Sequence, residues 1–199
     1  LPLGGRFTNT LDFEGVDKAV MNRVLSTYLV LHMDHGGGNL STFAGKAVAS
    51  GHATVYSSMA GAMNALSGPL HGGANEKVLH QLMDIGVPEN IEPWLSRKLN
   101  DHEVVMGFGH RVYKTGDIRA NLLGDVCHRL INSDSSFEAH DKLEKLANQL
   151  EQLMLEKKGL HPNLDWPAAR VYHALRLPIN LFTPLFVVAR VSGWTSHII

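Results

Sequence analysis

Along most of the chain, apolar and small residues recur at helical rather than strand spacing. Leu25, Tyr28, Leu29 and His32 fall at i, i+3, i+4 and i+7, which predicts a helix over residues 12 to 33. The glycines Gly36, Gly37 and Gly38 are poor helix formers and end it, and Asn39 and Ser41 are candidate caps for the next helix. Residues 42 to 67 are rich in Ala, Gly and Ser. Small side chains let helices approach closely, so this stretch reads as one or two packed helices with a break at Gly51. Gly68-Pro69 stops it. Shorter helices follow at 76 to 85 and 91 to 100.

The brief apolar run from Glu103 to Met106 suits a strand, but no other run of similar strength is there to pair with it. Residues 117 to 132 read as helix. Ser135-Ser136-Phe137-Glu138 has the form of a capping box, and the helix it opens carries Leu143, Leu146, Leu150 and Leu153 on one stripe. That helix should stop near Gly159. A last pair of helices fills 167 to 199, divided near Pro178. No β-alternation is sustained over several strands and no internal repeat is present, so the fold class is all-α.

Composition narrows the partners. The chain has 199 residues, 44% hydrophobic and 19% charged, with a formal net charge of -1. That balance gives no global basic field for nucleic acid. No apolar run reaches the roughly 18 to 20 residues of a membrane-spanning helix. The start, Leu1-Pro2-Leu3-Gly4-Gly5, has neither the basic region nor the apolar core of a signal peptide. The single cysteine, Cys127, can form no internal disulfide and reads as a small core residue.

Three loops share one design: a helix end, a glycine or proline, then a titratable group. They carry His71, His110 and Asp165. His32, His35, Arg119 and Arg190 are further polar candidates. His32 and His35 lie three apart, yet no Cys pair or His-Glu-x-x-His accompanies them, so the ligand set for a zinc site is lacking and no metal is expected. There is no Gly-x-Ser-x-Gly elbow and no phosphate-binding loop. Acid–base work by two histidines and a carboxylate remains, with arginines holding substrate carboxylates. The residues alone leave a second reading open, in which His71 and His110 are loop histidines and Asp165 caps a helix.

Four motifs, in order, resemble the citrate synthase family: His32-Met33-Asp34-His35 running through the glycines to Asn39-Leu40-Ser41, Gly68-Pro69-Leu70-His71-Gly72-Gly73-Ala74-Asn75, Gly107-Phe108-Gly109-His110-Arg111-Val112-Tyr113-Lys114, and Pro162-Asn163-Leu164-Asp165. The resemblance implies a citrate synthase-like all-α fold, a large helical domain and a smaller one with the active site in the cleft. Residues 1–73 and 171–199 would belong to the large domain and 74–170 to the small one.

It further implies an acyltransferase that condenses acetyl-CoA with oxaloacetate and hydrolyses citryl-CoA to citrate and CoA. His71 would hydrogen-bond the thioester oxygen as it becomes an enol, Asp165 would remove a methyl proton, and His110 would polarise the ketone. His35, Arg119 and Arg190 would hold oxaloacetate, Ser41 would support His71, and Asn163 would orient the base. Lys114, Gly72 and Gly73 would meet CoA. Acetyl-CoA is substrate, and no cofactor is implied. The helices at 42–67 would form a homodimer interface, and a cytoplasmic setting is preferred over the mitochondrial matrix. The family extends beyond both ends of this chain, so a longer protein is expected.

The chain departs from the family pattern at Asp117-Ile118-Arg119, where a proline is usual and a looser turn is expected. Trp166-Pro167-Ala168-Ala169-Arg170 is a second departure, and Arg170 stands one turn beyond Asp165. Three rival functions remain: 2-methylcitrate synthesis from propionyl-CoA, which differs by one methylene worth only about 1–3 kcal/mol, citryl-CoA cleavage by a related module, which keeps the same histidines, and a non-catalytic helical dimerisation module.

Overall fold

The computed structural model describes residues 3–10, 16–110, 113–131 and 138–199. Ser135, Ser136 and Phe137 of the expected capping box and the motif residues Arg111 and Val112 lie outside the described residues, as does the expected helix start at 12. Among the described residues the regular structure is helical: α1 (Leu3–Thr8), α2 (Lys18–His32), α3 (Leu40–Ser50), α4 (Val55–Leu66), α5 (Ala74–Ile85), α6 (Ile91–Asn100), α7 (Ile118–Ile131), α8 (Glu138–Lys158), α9 (Asp165–Ala174) and α10 (Phe182–Ile198). Single 3-10 turns precede α6 and α10. No helix is long and apolar enough to cross a membrane among the described residues.

The chain forms two compact units. Unit 1 comprises Leu1–Ala74 and Asn180–Ile199, and unit 2 comprises Asn75–Ile179. The chain passes from unit 2 back to unit 1 at Asn180, beyond the boundary near 170 that the resemblance implies. All of α9 stays in unit 2 because it packs along α7 and α8.

In unit 1, α10 packs on α2, α3 and α4. Its core joins Ala62 and Leu66 of α4 to Phe186 and Trp194 of α10. The small-residue stretch is two helices, parted at Gly51 as expected. They touch closely because glycines face the contact: a Cβ on Gly45 would lie 3.2 Å from Ala62 Cβ, and one on Gly61 would lie 3.0 Å from Val48 Cγ2. The outward face of this pair is apolar, with Phe43 63% and Tyr56 88% exposed. Helix α2 begins at an Asp17 cap, whose carboxylate accepts from Ala19 N (2.9 Å) and Val20 N (3.0 Å).

In unit 2, Trp166 is fully buried on α9, with Phe108 tilted against it at 4.5 Å and its indole N–H donating to Glu151 Oε2 at 3.0 Å. The stripe of α8 that faces this core differs from the leucine pattern. Leu146, Ala147, Leu150 and Met154 are buried, whereas Leu143 and Leu153 are half-buried. An all-leucine reading misses the small Ala147, which is fully buried.

The run at 103–106 is not a strand. Met106 has both backbone groups satisfied by one side chain: its N–H donates to Gln81 Oε1 (2.8 Å) and its carbonyl accepts from Gln81 Nε2 (3.1 Å). The extended pairing lies just beyond. Phe108 bridges antiparallel to Pro162, Gly109 N donates to His161 O (2.8 Å), and Asn163 N donates to Gly107 O (2.9 Å). Gly107 must be glycine here. Its φ is +90°, and a Cβ would sit 2.8 Å from Trp166 Cε3.

Candidate active site

In unit 1 the His71 loop is built on the end of α4. Gly72 N donates to Leu66 O at 2.8 Å, and a Cβ on Gly72 would lie 2.5 Å from that same oxygen. Gly72 therefore closes the helix, and this packing accounts for it without any ligand. The turn presents His71 half-buried, with Nε2 3.0 Å from Ser41 Oγ. Ser41 is fully buried in the first turn of α3. Neither Ser41 nor Asn39 uses its side chain to cap α3, contrary to the expected capping role. Ser41 instead donates to Asn39 Oδ1 (2.7 Å) and accepts from Trp194 Nε1 (3.2 Å).

Helix α10 holds the rest of this constellation through one stripe. Arg190, Gly193, Trp194 and His197 fall at i, i+3, i+4 and i+7. Arg190 is fully buried and donates from Nε to His32 O (2.7 Å), and its guanidinium lies 4.7 Å from the centre of the Phe186 ring. Gly193 N donates to Met33 O (3.0 Å), and a Cβ there would collide with that oxygen at 2.4 Å. His197 Nε2 lies 3.1 Å from Asp34 Oδ1. The loop that carries His35 is thus fastened to α10 at three points. His32 is turned inward, fully buried and stacked on Tyr28 at 3.8 Å, with Nδ1 3.0 Å from Tyr28 O.

Burial, aided by the charges of Arg190 and His35, pushes the pKa of His71 down to about 4. Its imidazole is therefore neutral at pH 7.

In unit 2 the loops of His110 and Asp165 are neighbours, because the 107–109 and 161–163 segments pair. Asn163 clasps them. Its Nδ2 donates to Gly109 O (3.1 Å), and its Oδ1 accepts from Asp165 N (3.1 Å). Asp165 is the first residue of α9, and Pro167 occupies the first turn, where no N–H is required. Arg170 spends its charge elsewhere, 3.3 Å from buried Glu144. Cys127 donates to the same carboxylate (3.6 Å), and burial with that charge pushes its thiol far up, as suits an inert core cysteine.

Around His110, Tyr113 N donates to Nδ1 at 3.1 Å, which leaves the proton of the neutral ring on Nε2. Burial lowers the His110 pKa, opposed by Asp117. Lys114 Nζ donates to His110 O (3.0 Å). Arg119 binds Asp117 in a two-pronged pair, Nε to Oδ1 at 3.0 Å and Nη2 to Oδ2 at 2.7 Å, and lies over the Tyr113 ring at 5.3 Å. Burial would raise the Asp117 carboxyl, but bonding and charge from Arg119 outweigh it and hold the carboxyl below the usual range. Asp117 Oδ1 also accepts from Arg119 N (3.0 Å). These bonds close the turn without proline, so Ile118 does not loosen it.

Unit 1 therefore brings together His71, Ser41, His35 and Arg190, and unit 2 brings together His110, Asn163, Asp165, Lys114 and Arg119. No group of three or more His, Cys, Asp or Glu could hold a metal ion among the described residues. Trp194, His197, Asp34 and Gln81 were not singled out in the sequence. The spacing of α10 was the available signal for the first two, hidden because the first half of the helix is strongly apolar.

A family model described as citrate synthase, C-terminal domain, matches residues 1–199. The chain belongs to the citrate synthase family. It is 41% identical to citrate synthase 2 of Bacillus subtilis over 197 residues, 99% of this chain and 49% of that protein. It is 42% identical to 2-methylcitrate synthase 1 of Corynebacterium glutamicum over 171 residues, 86% of this chain and 44% of that one. The fold matches the citrate synthase of Thermoplasma acidophilum, solved as a ternary complex with carboxymethyl coenzyme A and oxaloacetate. For that structure the TM-score is 0.89 at 33% identity, covering 98% of this chain and 52% of that one. The chain spans about half the length of the curated relatives it matches.

Three of the histidines in this citrate synthase-family chain have a pH consequence that needs no ligand. His71 and His140 are both held at about 4, and His173, whose ring meets that of His140 edge-on at 4.6 Å, is also lowered; burial is the largest cause in each. Their folded pKa values lie below the ordinary value of about 6.5, so protonation favours the unfolded chain. Stability from these groups is complete above about pH 6.5. It is lost as pH falls from there toward 4, with no further loss from them below. Thermal melts across this range should show Tm falling through that window, and His140→Gln should flatten part of the fall. A Tm that stays level down to pH 4 would contradict this.

Proposed function

We propose that the protein is a citrate synthase that joins the acetyl group of acetyl-CoA to oxaloacetate and hydrolyses the resulting thioester to citrate and CoA. The observation that carries this reading is the neutral, buried-side imidazole of His71 anchored on Ser41. A thioester methyl is a very weak acid, and its enol is best met by a neutral donor of similar acidity.

In this reading the Asp165 carboxylate takes a methyl proton while His71 donates a hydrogen bond to the thioester oxygen. The methylene carbon of the enol then attacks the ketone carbon of oxaloacetate. His110, with its proton on Nε2, polarises the ketone oxygen and supplies the proton that the new alkoxide needs. Water then cleaves the thioester, releasing CoA as the thiol and citrate as the acid. Asn163 sets the direction of Asp165 by holding its backbone N–H. His35, Arg119 and Arg190 hold the carboxylates of oxaloacetate, and Arg119 comes to this task already fixed by Asp117. Lys114 meets CoA phosphate, and Gly72 and Gly73 give the backbone that CoA approaches. The exposed apolar face of α3 and α4, with Phe43 and Tyr56, is the homodimer surface.

A second reading is favoured by the 42% identity to a 2-methylcitrate synthase. It keeps every role above and replaces acetyl-CoA with propionyl-CoA. Steady-state assays with the two acyl-CoAs and oxaloacetate separate the readings. A higher kcat/KM with acetyl-CoA is expected. A higher value with propionyl-CoA overturns the choice of substrate, and turnover of neither overturns the proposed function.

A further inference from the structure

Ser41 Oγ is the meeting point of three groups, and its hydrogen bonds can be counted completely. A hydroxyl offers one proton and two lone pairs. The indole of Trp194 is a donor only, so it always occupies one lone pair. One proton and one lone pair remain, to be divided between Asn39 and Nε2 of His71. The two partners cannot take the same one.

The side chain of Asn39 therefore decides what His71 receives. With Oδ1 toward Ser41, at 2.7 Å, the amide takes the hydroxyl proton. His71 Nε2 then faces a lone pair and must itself carry hydrogen, which leaves Nδ1 bare in the neutral ring. Turning the amide by half a turn puts Nδ2 against the lone pair. The hydroxyl proton then points to Nε2, and the imidazole proton resides on Nδ1. An amide's oxygen and nitrogen occupy nearly the same outline, so this exchange displaces no neighbour. A second observation singles out the residue. Asn39 stands at the N-cap of α3, where asparagine ordinarily bonds a backbone N–H, yet its side chain makes no capping bond and is turned onto Ser41.

We propose that Asn39 is a positioning residue that sets the tautomer of His71 through Ser41, and that the amide turns when an acyl-CoA thioester must be met by a donor. This rests on the proposed function for the identity of the ligand. Because Nε2 is committed to Ser41, the donor to a thioester oxygen is Nδ1–H, and that tautomer requires Nδ2 of Asn39 against the hydroxyl. In the structure Oδ1 faces the hydroxyl instead.

The test compares Asn39→Asp with Asn39→Ala. A carboxylate can only accept, so it locks the hydroxyl proton away from His71. Alanine takes nothing, so the proton can turn to Nε2. Nitrogen NMR of the protein carrying labelled histidine, with His71 assigned by difference from His71→Gln, reads which ring nitrogen is protonated at pH 7. Wild type without substrate and Asn39→Asp should carry the proton on Nε2, and Asn39→Ala, which leaves both the proton and a lone pair of Ser41 open to Nε2, should lose that bias and show Nδ1 protonation as well. In the condensation assay Asn39→Ala should lose about tenfold in kcat and Asn39→Asp about 10²–10³-fold, the scale of one lost oxyanion donor.

A merely structural role predicts the opposite order, since aspartate keeps the shape that alanine deletes. The same tautomer in both variants, or an aspartate variant at least as active as the alanine one, overturns the proposal. Should Asn39→Asp not fold, an unchanged tautomer in Asn39→Ala overturns it alone. The ring spectra do not depend on turnover. Tautomers that move as stated in a protein that condenses nothing support the role of Asn39 and count against the proposed function instead.

Discussion

Asp165→Asn should lower kcat for condensation by about 10²–10⁴-fold, the usual contribution of a positioned general base. The amide has the shape of the carboxylate but cannot accept the methyl proton. Its environment should survive the change. The backbone N–H of residue 165 still donates to Asn163 Oδ1, α9 still begins there, and Trp166 still fills the core behind it. Melting temperature should therefore stay close to that of the wild type, and oxaloacetate binding by calorimetry should persist. Retained kcat in a folded Asp165→Asn variant would remove Asp165 from the chemistry.

His71→Ala should lower kcat by about 10²–10³-fold, the typical loss of one oxyanion donor. Its effect differs in kind from that of a binding residue. The donor is needed most where charge develops, so kcat and kcat/KM should fall together. The scaffold beneath tolerates the deletion. Ser41 keeps Asn39 and Trp194 as partners, and the Gly72–Leu66 closure of α4 does not involve the imidazole. Steady-state kinetics beside a thermal melt check both halves. A variant that raises KM alone would make His71 a ground-state binding group.

The helices were legible because breakers and periodicity agreed. Gly51, the Gly68-Pro69 pair and Gly159 each fall just past a helix end, where a helix needs residues that cannot continue it. The all-α class followed from the same signals. The buried face of α8 was misread because leucine marks hydrophobicity but not orientation, and Ala147 carries more of the contact than Leu143. The run at 103–106 has strand composition, but a side chain of α5 satisfies its last residue, a long-range pairing that no local pattern reveals.

The candidate site divides in the same way. His71, His110 and Asp165 stood out as titratable groups beside glycine or proline, and the motifs gave them roles only through family resemblance. Their supports were less visible. Ser41 and Asn39 looked like ordinary caps, since cap residues and hydrogen-bonding residues are the same types. Trp194 and His197 sit in a helix whose first half is strongly apolar, so the stripe of α10 that meets the His32–His35 loop emerges only once that loop is laid against it.

The proposed function requires that His71 and Asp165 assist the same step. Kinetic measurement of His71→Ala, Asp165→Asn and the double variant tests it most directly. Residues that act as a unit are grossly non-additive, so the double variant should lose about as much in kcat as the worse single variant. Losses that multiply, with each residue contributing its full factor in the absence of the other, would contradict the account.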